Sequence, residues 1–405
     1  MIDWTSHFAE RAKRMTASEI RELLKLLDQP DIISFAGGIP DSTLFPHQEI
    51  AAAYNNALRD PARARVALQY AVSEGYKPLR EWIAGYMTRL GAPCSADNVV
   101  ITNGSQQALD FLGKLFISPG KPVLVAWPTY LGALQAFNCY EPVYDVLPGP
   151  ESNRTVASYP KGEDAPRLGY CMPDFQNPTG TSLNRAERIQ LLEAADAMDL
   201  PLIEDSAYEK LRYDGERMPS MLGLDIARKG GIENSRVIYC GTFSKSIVPA
   251  LRIGWIVAAQ PVIQKLVIIK QASDLHVPTL NQIVMHEVAS KIIEPHAKVI
   301  LAAYKARRDA MLAALEAHMP KGVSWTRPQG GMFVWVTLPE GMDGAALLER
   351  AIHEARVAFV PGTAFFADRG RKNYIRLSFS LSDEASIAEG IKRLGALIGK
   401  VQAGG

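Results

Sequence analysis

Between about residues 96 and 260, short β-rich runs alternate with helix-patterned stretches, and this alternation limits the fold more sharply than any other feature of the chain. The runs are NVVIT (98–102), PVLVAW (122–127), RLGYCM (167–172), LPLIEDS (200–206), RVIYCG (236–241) and RIGWIVAA (252–259). Among the stretches between them are SQQALDFLGKLF (105–116) and RAERIQLLEAADAMD (185–199). Strand–helix alternation of this kind predicts a largely parallel α/β sheet. Ligands bind such a sheet at the carboxyl ends of its strands.

The texture changes around 290–320, where EPHAKVILAAYKARRDAMLAALEAHM reads as one long helical run. After it come strand patterns at 333–338 and 374–380 and helix patterns at 344–356 and 384–400, which predict a second, smaller α+β unit. A chain of 405 residues is too long for one simple core, since single cores stop growing near roughly 250–300 residues. We expect a large domain over 47–295 and a small C-terminal domain over 296–405. Residues 1–46 then supply an N-terminal helix and an extended segment ahead of the large domain. The helix is read over 17–27, with Ile20, Leu23, Leu24 and Leu27 on one stripe. The extended stretch Ile32-Ile33-Ser34-Phe35-Ala36 ends in Gly37-Gly38 and Pro40.

Composition removes several function classes. Hydrophobic residues are 47% and charged residues 21%, as in an ordinary soluble globular protein. Net charge is +1 and no Lys/Arg block stands out, so neither nucleic acid nor an anionic membrane is expected as the main partner. No stretch approaches the roughly 18 consecutive apolar residues of a membrane helix. The seven histidines are scattered without an HExxH pair, and no metal site is expected. The four cysteines, Cys94, Cys139, Cys171 and Cys240, show no CxxC spacing and read as buried hydrophobes in a reduced setting. Residues 1–7 carry an acid and lack the apolar core of a signal peptide, so the expected location is the cytoplasm.

The densest chemical signal is Gly241-Thr242-Phe243-Ser244-Lys245-Ser246-Ile247-Val248-Pro249-Ala250-Leu251-Arg252-Ile253-Gly254-Trp255. A lone lysine after a strand is usually solvated. Here the company changes that reading. Lysine condenses with aldehydes as a Schiff base and is activated by desolvation or cationic neighbours. Arg252 offers a planar fork for a phosphate dianion, and Thr242 or Ser244 adds a hydroxyl donor.

Four other positions carry chemistry of the same kind. Asp205 closes the run LPLIED, where a carboxylate is either an ordinary strand-end turn residue or an acid aimed at a ligand. Asn103-Gly104-Ser105-Gln106 joins a strand to a helix, and Ser105 is either an N-cap or part of an anion site on free backbone N–H groups. Asn177-Pro178-Thr179-Gly180 reads as a turn, with Asn177-Pro178 a candidate cis bond. Arg376 lies mid-strand in an apolar run, where it is costly unless paired, so it forms either a structural salt bridge or a carboxylate clamp.

The spaced set Ser244-Lys245, Pro249, Leu251-Arg252 and Gly254-Trp255 resembles the cofactor-lysine motif of the fold-type I aminotransferases, which use pyridoxal 5'-phosphate (PLP). The resemblance runs from about residue 14 to 400 and follows the family's order. It implies the fold-type I PLP-transferase architecture, α/β with a large mixed, mostly parallel sheet domain and a smaller α+β domain. It implies Lys245 as the lysine that holds PLP and moves the proton, Asp205 as the acid at the pyridine nitrogen, and Tyr208 at the cofactor's phenolic oxygen. Ser105, Gln106, Thr242, Ser244 and Arg252 would hold the phosphate, and Tyr130 would stack on the ring. Asn177 would contact the phenolic oxygen and the substrate carboxylate, and Arg376 would clamp that carboxylate. Tyr70, within LQYAVSEG (68–75), would reach the phosphate of a neighbouring subunit, which implies a homodimer.

Segments such as SEIRELLKLL (18–27), ISFAGGIPDSTLFP (33–46), NGSQQALD (103–110), DLHVPTLNQ (274–282) and RPQGGMFVW (327–335) are most similar to the 2-aminoadipate/kynurenine/aromatic aminotransferase branch. By that similarity Gly38 lines the substrate site through its backbone. Arg21 is either a solvated helix residue or the group that recognises an acidic side chain. Ala250 and Ser206 depart from the family pattern, in positions that bear on substrate choice. The implied activity is ping-pong transfer of an amino group from a 2-aminoadipate-, glutamate-, aromatic- or branched-type L-amino acid to a 2-oxo acid, with 2-oxoglutarate the expected acceptor. Two alternatives remain open at this point: a PLP-dependent lyase or decarboxylase on the same fold, and a PLP-binding regulatory sensor.

Overall fold

The computed structural model describes residues 1–15, 31–149, 152 and 154–404. The helix expected over 17–27, with Arg21, lies outside the described residues. The first strand, β1 (Ile33–Ser34), is followed by the helices His47–Arg59, Pro61–Ala67 and Lys77–Arg89. Then come β2 (Val99–Asn103), β3 (Pro122–Val125), β4 (Val143–Val146), β5 (Leu168–Cys171), β6 (Leu202–Asp205), β7 (Val237–Thr242) and β8 (Ile253–Val257). These form a seven-stranded sheet in the order β2-β8-β7-β6-β5-β3-β4. Only β8 runs antiparallel to its neighbours.

Helices cover both faces, which is why the runs are apolar throughout and not alternating. Every residue of β6, β7 and β8 is buried. The two-residue period of each strand divides its side chains between two cores. Val123, Val125 and Ile203 enter one cluster, while Leu124 and Leu202 enter the other. Two strand-end carboxyls follow the same rule: Asp205 shares the face of Ile203, and Glu204 shares that of Leu202.

The sequence pattern does not reveal β4. It is an edge strand with partly exposed residues and needs little apolar character. The long helix begins at Thr279, upstream of the expected run, and continues to His318 through Pro295. Proline suggests a break, but its φ suits a helix, and Pro295 is exposed, so water can satisfy the carbonyl left without a partner. This helix packs against the C-terminal helix Glu384–Ala403.

The remaining strands are β9 (Ser324–Trp325), β10 (Phe333–Thr337), β11 (Val357–Ala358), β12 (Val360–Pro361) and β13 (Tyr374–Ser378). Four of them make an antiparallel sheet in the order β12-β13-β10-β9, with Arg376 opposite both Trp335 and Val360. β1 pairs in parallel with β11, tying the extended segment to the C-terminal part of the chain.

Gly241 sits opposite Trp255 on β8, and a Cβ there would fall within the Trp255 ring. We expect Gly241→Ala to destabilise the protein by about 1–3 kcal/mol through overpacking. Urea denaturation of the two proteins measures it; an unchanged midpoint would show that the ring has room to move.

Candidate active site

One edge of the large sheet collects the chemistry. β2, β3, β5, β6 and β7 all run the same way, so the segments after Asn103, Val125, Cys171, Asp205 and Thr242 emerge side by side. β8 runs the other way and starts at this edge, which brings Arg252 to the same place.

Lys245 lies in the turn after β7. Its Nζ donates to the Gly38 carbonyl at 3.0 Å and stands 5.9 Å from the centroid of the Tyr208 ring. Burial pushes the ammonium down to about 8, and the positive charges of Arg376 and Arg252 push in the same direction. An amine so placed is a nucleophile near neutral pH.

Asp205 is 1% exposed. Its Oδ2 accepts the Tyr170 hydroxyl at 2.9 Å, whereas Oδ1 is buried without a partner among the described residues. Burial raises its carboxyl to about 6, against the hydrogen bonds from Tyr170 and the Ala207 N–H. A buried acceptor left alone costs about 1–3 kcal/mol, so this oxygen is poised for a donor, best a cationic one.

Asn103-Gly104-Ser105-Gln106 makes a cup at the start of the helix Gly104–Phe116. Gly104 takes φ +73°, and a Cβ on it would strike the Arg252 guanidinium. Gly254 allows equally close approach: a Cβ there would stand 2.7 Å from the Ser105 nitrogen. The two glycines thus let the helix N-terminus and Arg252 share one small volume, where both favour an anion. Arg252 donates to the carbonyls of Asn103 (3.2 Å) and Pro249 (3.3 Å). Gln106 donates to the Gly132 carbonyl at 2.7 Å. Thr242 donates its hydroxyl to Ser244 Oγ at 2.9 Å, which leaves the Ser244 proton free to donate onward.

Arg376 is 1% exposed. Its Nη1 donates to Asn177 Oδ1 at 2.8 Å and its Nη2 to the Ala36 carbonyl at 2.6 Å. Its guanidinium carbon lies 4.2 Å from the Phe333 centroid and 5.1 Å from the Phe365 centroid. Among the described residues no carboxylate lies within ion-pair distance of it, so the salt-bridge reading has no partner there. Nε is buried without a partner among the described residues. Burial lowers this group to about 10, with Tyr208 and Tyr130 acting in the opposite sense. A buried guanidinium with a free N–H and no counter-ion is suited to capture a carboxylate.

Asn177 precedes a cis bond to Pro178, and a second cis bond, Trp127–Pro128, leads into Tyr130. Burial raises the Tyr130 hydroxyl to about 12, with the Asp205 charge adding to it and Arg376 and Arg252 acting against it. Tyr208 packs edge-on against Phe333, with ring centroids 5.7 Å apart. Gly38 presses on the same ring, since a Cβ would lie 2.6 Å from Phe333 Cζ. Tyr70 differs from the rest: it is 79% exposed, and its ring stands edge-on to His276 at 5.9 Å.

Sequence reasoning misses Tyr170, Phe333 and Phe365 as site residues. Tyr170 has a polar tip in an apolar strand, but only the β5–β6 register puts that tip on Asp205. Phe333 and Phe365 read as core from their neighbours, and their contacts with Arg376 come from two separate segments.

The sequence model of aminotransferase class I and II matches residues 30–394. The chain is 44% identical over 406 residues to aromatic-amino-acid aminotransferase 1 of Thermococcus litoralis, covering 98% of this chain and 95% of the relative. It is similar to the crystal structure of α-aminoadipate aminotransferase from Thermus thermophilus complexed with N-(5'-phosphopyridoxyl)-L-leucine, with TM-score 0.89, 40% identity, and 99% and 100% of the two chains covered. It is also similar to kynurenine aminotransferase of Pyrococcus horikoshii in complex with PMP, with TM-score 0.91, 42% identity and 98% of each chain covered.

The free atoms at this edge fit a phosphopyridoxyl group. Asp205 Oδ1 suits a protonated ring nitrogen, the glycine-lined cup suits a phosphate, and Lys245 suits an aldehyde. The lysine yields a pH prediction. Only the neutral amine attacks, so apoprotein should condense with pyridoxal about tenfold faster per pH unit up to about pH 8, then level off. A stopped-flow pH series measures this; a rise continuing to about pH 10.4 would mean an unperturbed lysine.

Proposed function

Since this chain belongs to the class I and II aminotransferase family and is a PLP-dependent aminotransferase, we propose how its residues divide the reaction. The observation that carries the reading is the pair of buried, opposite charges with free atoms, Asp205 Oδ1 and Arg376 Nε, within one cluster that also holds Lys245. One suits a cationic ring and the other a substrate carboxylate.

Bound there, PLP supplies an electrophilic carbonyl carbon and a ring that takes up electron density from the substrate. Lys245 would hold the cofactor through its Nζ, the amine that burial keeps nucleophilic. The same Nζ would serve as the general base and acid that moves the substrate α-proton. Asp205 keeps the ring nitrogen protonated, and Tyr170 orients Asp205 from behind. Asn177 and Tyr208 donate to the phenolic oxygen. Ser105, Gln106, Ser244 and Arg252 hold the phosphate, with Thr242 turning Ser244 toward it. Tyr130 covers the ring. Arg376 and Asn177 bind the α-carboxylate beside the Gly38 backbone, and Phe333 and Phe365 hold the guanidinium in its plane.

Residues 47–295 are the cofactor-binding unit, and 296–405 with 1–46 are the unit that closes on substrate; the separation of the seven-stranded from the four-stranded sheet and the β1–β11 pairing support this division. The enzyme works as a homodimer in which Tyr70 completes the neighbouring site. Val66, Leu68, Tyr70 and Val72, each more than half exposed, supply an apolar stripe for that contact. Four unpaired cysteines suit the reduced cytoplasm. The donors are amino acids of the acidic, aromatic or branched kind and 2-oxoglutarate is the acceptor, with Arg21 engaging acidic side chains.

Mixing the loaded enzyme with single donors and no acceptor tests the whole scheme. 2-Aminoadipate, glutamate, kynurenine, phenylalanine and leucine should differ in rate, and at least one should yield its keto acid stoichiometrically without ammonia. Release of ammonia or carbon dioxide would refute amino transfer. Lys245→Ala should keep PLP yet lose about 10²–10⁴-fold in turnover. Arg376→Lys should raise KM roughly 10–100-fold for every donor, since an ammonium cannot reproduce the fork. Unchanged KM would remove the carboxylate from Arg376.

A further inference from the structure

Lys270, which is fully buried, and Asp274, whose side chain is partly exposed, form a polar network that none of the roles above uses. Lys270 lies in the last turn of the helix Gln260–Gln271 and is 0% exposed. Its Nζ donates to both Asp274 oxygens, at 2.9 and 3.0 Å, and to Gln107 Oε1 at 3.1 Å. Asp274 Oδ2 also accepts from Asn103 Nδ2 at 2.5 Å and from Gln107 Nε2 at 2.8 Å. Gln107 Oε1 in turn accepts the backbone N–H of Asn103 at 2.9 Å.

The network converges on Asn103. That residue ends β2, immediately before the helix whose N-terminus makes the cup. Its carbonyl accepts from Arg252 Nη2 at 3.2 Å. Asn103 is therefore held at its N–H and its side-chain amide, and it holds the guanidinium through its carbonyl. An ion pair with one fully buried partner is a poor source of stability, because desolvation offsets much of the attraction. What it does well is fix direction: one carboxylate here aligns three side-chain donors from separate segments.

We propose that Asp274, balanced by Lys270, is the positioning residue of the phosphate cup. It sets Asn103, and through Asn103 the N–H groups of the first helical turn and the Arg252 guanidinium, for a phosphate dianion. The proposal rests on the reading that this cup binds the cofactor's phosphate. A network that only joined two helices would support every ligand of the site equally. A positioning network acts on the phosphate and leaves a ligand without one untouched.

Titration of the apoprotein with PLP and with pyridoxal, which lacks the phosphate, separates these. In Asp274→Asn the Kd for PLP should rise about tenfold or more, while that for pyridoxal stays within about twofold. The double variant Lys270→Met/Asp274→Leu leaves no orphan charge to impair folding, and it should show the same selective loss. Arg252→Ala is the reference, because it removes a phosphate contact directly. If Arg252→Ala loses the preference for PLP and the Asp274 variants keep it, the positioning role is wrong and the cup assignment stands. If all three keep it, the cup assignment fails and takes the proposal with it. Equal weakening of both ligands in the Asp274 variants would also overturn the proposal, since it marks a purely structural role.

Discussion

Strand direction is the constraint on which the rest of this protein depends. With six of the seven strands pointing one way, the segments after five of them deliver the site's groups to a single edge. Each segment delivers one kind of group there: a helix N-terminus, an aromatic ring, an amide, a carboxylate and an amine. The one reversed strand, β8, matters as much. Running antiparallel, it begins where its neighbours end, so Arg252 stands beside the helix N-terminus after β2. Gly104 and Gly254 then remove the side chains that would hold the two apart.

That edge carries charge at a cost to the folded chain. Asp205, Arg376 and Lys245 each lose hydration, and burial is the first cause of the shift in all three. Among the described residues, neither Asp205 nor Arg376 has an ionic partner of opposite sign at close range. Such groups are usually neutralised or paired. Here the protein surrounds them with neutral support instead. Tyr170 donates to one oxygen of Asp205, and the guanidinium of Arg376 packs against the Phe333 and Phe365 rings, with Asn177 and the Ala36 carbonyl accepting from it. Each retains one unpartnered atom, and complementary charges on cofactor and substrate are what the proposed reaction brings to those atoms. The energy withheld from folding is then available for binding.

Much of this is legible in the order of the amino acids. The strand runs are apolar enough to stand out, because strands covered on both faces leave no polar alternation to confuse the reading. Lys245 and Arg252 stand out by spacing within one turn between two strands, and Asp205 by ending a strand. The edge strand β4 does not stand out, because an exposed edge selects weakly for apolar residues. The start of the long helix is hidden by Pro295, which composition marks as a break but which its exposed position tolerates. Tyr170, Phe333, Phe365, Lys270 and Asp274 are hidden for another reason. Each is an ordinary core or helix residue in its own segment and gains a role only from a partner far along the chain.

The sequence by itself therefore determined the order of elements, the sheet's class and the identity of the groups delivered to its edge. Those properties are local: they follow from side-chain periodicity and from which residue ends each strand. Only the tertiary structure decided which of those groups meet, which atoms remain unpartnered, and that Arg376 has no carboxylate beside it among the described residues. Those properties depend on strand register and on contacts between distant segments, where a shift of one residue turns a side chain to the opposite face.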